Sequence, residues 1–333
     1  MTITVIWAAI IALGLFMYVA LDGFDLGVGM IFPFFPDDDE RDLMMHSLAP
    51  IWDGNETWLV LGGAALFAAF PVVYSVALSA LYLPIIFMLI CLIFRGVSFE
   101  VRGKAGRTKN LWSLAFTLGS AGASLFQGII LGAYLQGIPV KDLTFSGDAF
   151  FWLTPFSLLS GFGLMITYCL LGCCWLVMKM QGNLRERLRA LVWPLTIVLL
   201  LFMAAVSIWT PLSNVSIAKR WFSDSLLFLL IPIPVLVAVT AFSIFASVRK
   251  HHDALPFVLA LGLVLLGYMG LLVSVWPYAI PDSLTLWEAA APIESQRFAL
   301  YGAVIIIPII IAYTTAGYWV FRGKTDTPES PYH

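Results

Sequence analysis

The sequence predicts an all-α integral membrane protein with about nine transmembrane helices, and three observations carry that prediction. Of its 333 residues, 61% are hydrophobic and only 11% are charged. Soluble domains carry about 25% charged residues, so this chain could not cover itself with a water-compatible surface. Mean hydropathy is +0.93. The apolar residues also run on continuously rather than alternating, which excludes a strand barrel.

A helix needs roughly 20 apolar residues to cross a hydrocarbon core of about 30 Å. Stretches of that kind lie near residues 3–34, 52–71, 72–94, 111–136, 151–180, 191–211, 225–248, 255–276 and 298–321. The first is preceded by no Lys or Arg and outruns the apolar region of a signal peptide, so it is expected to be retained as a span. The second and third meet at Pro71 in a tight hairpin. One polytopic domain is expected: residues 1–137 with the first four spans, 150–278 with the next four, 297–322 with the last, and a tail at 323–333.

Orientation follows from Lys and Arg, which accumulate on the cytoplasmic side. Loops on the side of the first connection hold Arg41, Arg95, Arg102, Lys104, Arg107, Lys109, Lys179, Arg185, Arg187, Arg189, Arg249, Lys250, Arg322 and Lys324. The other side holds only Lys141, Lys219, Arg220 and Arg297. The N-terminus is therefore expected outside and the C-terminus inside a bacterial inner membrane. The acidic run Asp37-Asp38-Asp39-Glu40-Arg41-Asp42 on the cytoplasmic side stands against this, although acids contribute little to orientation. With a net charge of -2 and no basic block, a nucleic-acid partner is excluded. Cys91, Cys169, Cys173 and Cys174 all sit in apolar runs and read as buried thiols.

Charges inside membrane helices cost about 2.5–3.5 kcal/mol each on insertion scales, so they invite a functional reading. Asp22 and Asp25 share a helix face in the first span, next to a Gly23/Gly27 pair that admits a close neighbour. Asp53 and Glu56 do the same at the start of the second, between Trp52 and Trp58. These acids could equally cap or glue helices at the interface, or complement a helix N-terminus. Arg95 closes the third span, with Glu100 beyond it; buried, it needs a counter-charge, and snorkelling, it needs none. All of these lie at the cytoplasmic ends of neighbouring hairpins. Together they make either a proton relay or a structural ion-pair cluster. In the fourth span Thr117, Ser120, Ser124 and Gln127 form a polar stripe that suits helix packing or a water-lined route.

The histidines His46, His251, His252 and His333 fall in loops or the tail. A membrane haem needs axial ligands within its helices, so no haem is expected to be bound through histidine here. No metal-ligand spacing stands out either.

Several stretches resemble subunit II of cytochrome bd-type quinol oxidases. They are Asp22-Gly23-Phe24-Asp25-Leu26-Gly27, Trp52-Asp53-Gly54-Asn55-Glu56-Thr57-Trp58-Leu59, the run 62–71, Phe94-Arg95-Gly96, residues 283–289 and the run from Pro308 to Trp319. The Asn55-Glu56 pairing resembles the cyanide-insensitive branch. The resemblance implies two four-helix bundles plus one peripheral helix. It also implies a partner subunit I that carries haems b and d and oxidises quinol, with O2 reduced to water and protons drawn from the cytoplasm. Asp53 falls on the family's proton-path position, and Asp25 and Arg95 on positions tied to that path or to stability. Glu56 is an amide in some members. Some members hold a quinone or lipid in subunit II, and a small accessory subunit accompanies some complexes. Two other readings stay open from the residues alone: a secondary transporter or channel with a buried acidic cluster, and a purely structural scaffold.

Overall fold

The structure, a computed structural model, describes residues 2–222 and 230–325. Helix α1 (Thr2–Ile31) passes through a 3-10 turn into the short α2 (Asp38–His46). There follow α3 (Trp52–Ala69), α4 (Pro71–Val101), α5 (Lys109–Leu135), α6 (Pro155–Lys179) and α7 (Gly182–Ser213). The short α8 (Val215–Trp221), α9 (Pro232–Arg249), α10 (Leu255–Val275) and α11 (Ile293–Val320) complete the chain. Two small antiparallel hairpins, β1–β2 (Val140–Lys141 with Thr144–Phe145) and β3–β4 (Tyr278–Ile280 with Leu284–Thr285), lie in the connections.

Eight of the described helices are long and apolar enough to cross a membrane. The second expected span, α3, is an 18-residue helix outside that set, because Asp53, Asn55 and Glu56 dilute its first turns. Residues 223–229, at the start of the seventh expected span, and 326–333, in the tail, lie outside the described residues.

Local chemistry sets the helix ends. Thr154 caps α6 by accepting from Ser157 N at 3.1 Å, while Ser157 Oγ accepts from Thr154 N at 3.0 Å, and Pro155 fills the first helical position. Phe70 breaks the helix between α3 and α4, and Pro71 opens the latter. Pro84 lacks an N–H and crowds the carbonyl four residues back, so α4 kinks at Leu81.

Glycines set the tightest crossing. A Cβ on Gly27 of α1 would fall inside the Tyr168 backbone carbonyl of α6, and one on Gly172 would lie 2.6 Å from Gly27 C. The two helices meet backbone to backbone, so the small-residue pair read from α1 finds its partner in α6. Phe24 stacks on Trp175 just beside this crossing, with ring centroids 4.3 Å apart.

All the basic loops share one face. Arg102, just after α4, and Lys109, at the start of α5, bond the Asp42 carboxylate of α2, Lys109 at 3.0 Å. Arg187 of α7 bonds Glu40 at 2.8 Å. Arg189 at 2.8 Å and Lys324 at 2.7 Å converge on Asp253, which precedes α10. Asp38, Glu40 and Asp42 of the acidic run that seemed to oppose the charge rule are thus paired with basic residues on that face. Its leading acids also sit at the N-terminus of α2, where Asp37 accepts from Asp39 N at 2.9 Å.

Partial burial works against ionisation of Asp42, yet hydrogen bonds from Arg102 and Lys109 hold its carboxyl below the usual value of 3.8. For Asp253, burial is likewise outweighed by the hydrogen bond from Lys324 and by the charges of Lys324, Arg185 and Arg189. A depressed native value contributes stability that is present in full above the unfolded pKa and fades as pH falls through the native one. Thermal melts in detergent are therefore expected to lose stability as pH drops below about 4. Asp42→Asn and Asp253→Asn should flatten that dependence, and an unchanged acid slope in both variants would contradict it.

Candidate functional site

The buried stripe of α3 runs through Asn55, Trp58, Gly62, Ala65 and Ala69. Glu56 flanks that stripe, and together they face α1 and α4. From α1 come Asp22 and Asp25, both completely buried, and from α4 the equally buried Arg95. Arg95 Nη2 pairs with Asp22 Oδ1 and lies 3.0 Å from Glu56 Oε1. Its guanidinium also sits 5.7 Å from the Trp52 ring centroid and 5.9 Å from that of Phe99, two rings stacked on each other at 5.0 Å. Gly119 of α5 allows this approach, since a Cβ there would lie 2.9 Å from Arg95 N.

Two hydrogen-bond chains run into the cluster. Tyr318 of α11 donates to Asn55 Oδ1 at 3.0 Å, and Asn55 Nδ2 donates to Asp25 Oδ2 at 2.8 Å. On the other side, Tyr168 of α6 donates to Gln127 Oε1 at 2.9 Å, and Gln127 Nε2 to the Tyr18 hydroxyl at 2.5 Å. Tyr18 sits one turn before Asp22 on α1 and interacts with its carboxylate. Three carboxylates thus gather around one guanidinium. Asp22 Oδ2, Asp25 Oδ1, Arg95 Nε and Arg95 Nη1 are buried without a protein hydrogen-bond partner. Buried polar atoms of this kind are ordinarily satisfied by water.

Among the described residues no group of His, Cys, Asp and Glu could hold a metal ion. His46 Nδ1 is bonded to the Asp42 carbonyl at 2.8 Å, and His251 Nδ1 lies 2.8 Å from Arg189, both outside the membrane helices.

A family model for cytochrome bd terminal oxidase subunit II matches residues 3–321. The chain belongs to that family. Subunit 2 of the cytochrome bd-I ubiquinol oxidase of Escherichia coli (strain K12) is 32% identical, over 96% of this chain and 94% of its own. Subunit 2 of the cytochrome bd ubiquinol oxidase of Bacillus subtilis (strain 168) is 26% identical over 97% of each. In the solved bd oxidase from Geobacillus thermodenitrificans, one chain shares the fold with a TM-score of 0.72, at 16% identity and 96% coverage of both chains. The chain is accordingly a multi-pass membrane subunit of an oxidoreductase complex.

Within this subunit II, Asp22, Asp25, Glu56 and Arg95 come together, whereas Asp53 and Glu100 do not join them. Both are exposed and neither makes an ion pair among the described residues. The reason for Asp53 is helical phase. It precedes the buried Asn55 by two residues, about 200° around the helix axis, so it leaves the cluster and faces outward. In the polar stripe of α5, Ser120 and Ser124 are buried between helices and Ser124 Oγ returns to Ser120 O at 2.7 Å. Thr117 instead lines an apolar cavity of about 340 Å³ beside Met30, Met165 and Phe202. Only Gln127 of the four joins the chain that leads to Asp22. Sequence reading missed Asn55, Tyr18, Tyr168 and Tyr318 as members of the site. The available signal was a hydroxyl or amide inside an apolar helix, which needs a partner when buried.

Proposed function

We propose that the chain is the haem-free subunit II of a quinol:oxygen oxidoreductase that reduces O2 to water. It would stabilise a partner subunit I bearing haems b and d and provide that partner's proton-uptake path from the cytoplasm. The observation that carries this reading is the cluster of buried Asp22, Asp25 and Arg95 with half-buried Glu56, near the face where the basic loops gather. Asp25 lies six residues before the end of α1, about 9 Å along the helix.

Three carboxylates beside one guanidinium cannot all stay ionised in a low-dielectric setting, so at least one proton or compensating water resides there. The free oxygens Asp22 Oδ2 and Asp25 Oδ1 are the atoms at which a proton can be held. Glu56, whose side chain is 28% exposed, links the interior to the surface. Glu100 lies on the cytoplasmic side of the cluster and collects protons there. Asp53, on the outward face of α3, hands them toward subunit I. Arg95 compensates charge on Asp22 and Glu56 and keeps the gap between helices polar. The N-terminus is outside and the C-terminus inside, following the distribution of Lys and Arg.

Asp53→Asn is expected to slow quinol oxidation and proton uptake at least about tenfold while leaving the haem absorbance of the purified complex intact. Full turnover with normal uptake in that variant would sink the relay and leave the scaffold reading. A chain that purifies colourless and alone would favour the transporter.

A further inference from the structure

Resting on that reading of the cluster, we infer that Tyr318, on the last helix, is a positioning residue that locks the Asn55 carboxamide so that its NH2 faces Asp25. Asn55 is 1% exposed, so its amide must find partners inside the protein. Its oxygen accepts from the Tyr318 hydroxyl at 3.0 Å. Its nitrogen points at Asp25 Oδ2 at 2.8 Å and at the backbone carbonyl of Leu21 at 3.4 Å. The Leu21 carbonyl only accepts, so the nitrogen belongs on that side.

Turning the amide over would press its oxygen against the Leu21 carbonyl and against Asp25. The second contact is tolerable only while Asp25 carries a proton on Oδ2. Amide orientation and Asp25 protonation are therefore coupled, and the Tyr318 hydroxyl holds the orientation that favours the anion. Its ring is held in turn: the Tyr318 centroid lies 6.0 Å from that of Trp175 and 6.4 Å from that of Phe24, both edge-on. Most of α11 presents apolar side chains outward, Tyr301, Val304 and Ile305 among them. Tyr318 is thus where an otherwise peripheral helix touches the acidic cluster.

The test uses the intact oxidase complex with Tyr318→Phe, which keeps the ring and removes the hydroxyl. The acid limb of its turnover–pH profile is expected to move to higher pH by up to about one unit, the size of the Asn55–Asp25 hydrogen bond that is lost when the released amide turns. The infrared carboxyl band assigned to Asp25, by its disappearance in Asp25→Asn, should shift as well. Asn55→Ala should reproduce both changes, and the double variant should be no worse than Asn55→Ala alone, because the two act through one chain. A wild-type profile and band in Tyr318→Phe, or additive effects in the double variant, would overturn the inference. Should Tyr318→Phe fail to assemble, Tyr318→Met, which also lacks a hydroxyl, takes its place under the same two readouts. Asp25→Asn separates the two levels. If it retains full proton uptake, the path itself is wrong; if it is slow while Tyr318→Phe behaves as wild type, only the positioning role fails.

Discussion

Arg95→Met is expected to prevent the oxidase complex from accumulating. Arg95 is completely buried between Asp22 and Glu56, and removing it leaves two carboxylates facing each other without a cation. Breaking a buried pair from one side costs about 3–5 kcal/mol, a large share of what typically holds a domain together. Lysine should rescue poorly, because its compact ammonium replaces neither the further donors of the guanidinium nor its planar contact with the Trp52 and Phe99 rings. A double change, Arg95→Met with Asp22→Leu, removes both charges and should recover part of the yield. The measurement is haem absorbance and thermal stability of complex purified through a tag on this subunit. Wild-type yield and melting for Arg95→Met would show that the ion pair carries no stability.

The second large effect is expected from Gly27→Val. Any Cβ at Gly27 collides with the backbone carbonyl of Tyr168 rather than with a movable side-chain end. Relief requires α1 and α6 to separate. Ordinary overpacking costs about 1–3 kcal/mol, and a backbone contact cannot relax by changing a rotamer, so this variant should exceed that range. Separation would also strain the Tyr168–Gln127–Tyr18 chain that joins α6 to α1 through α5 and loosen the Phe24–Trp175 stack. Gly270→Ala is the matched control, since a Cβ there meets nothing within 4 Å; it should assemble normally. Equal yields for the two variants would mean that the α1–α6 crossing is wider than it stands here.

Most of the helices were legible because a membrane span announces itself by length and apolarity, properties that each segment carries alone. The stretch at 255–276 became α10 at Leu255–Val275, and that at 111–136 became α5 at Lys109–Leu135. The sharing of one face by Arg102, Arg189, Lys324 and the acidic run was legible too, because alternating crossings leave no other arrangement. Within the site, Asp22 and Asp25 were readable as a pair from their spacing on one helix. Topology put Arg95 at the same end of the bundle, and in the structure it pairs with Asp22.

What the sequence by itself determined is therefore the class of molecule, the order of its spans and the presence of charges that hydrocarbon does not tolerate. Only the tertiary structure decided which of those charges meet. Asp53 and Glu56 share a helix face by spacing, yet α3 is rotated so that Asn55 points inward and Asp53 outward. It likewise decided that Gly27 lies against α6 and that a tyrosine near the end of the chain closes on residue 55. The physical reason is that spacing fixes neighbours within one helix. Its rotation about its own axis is set by the surfaces of the helices packed around it.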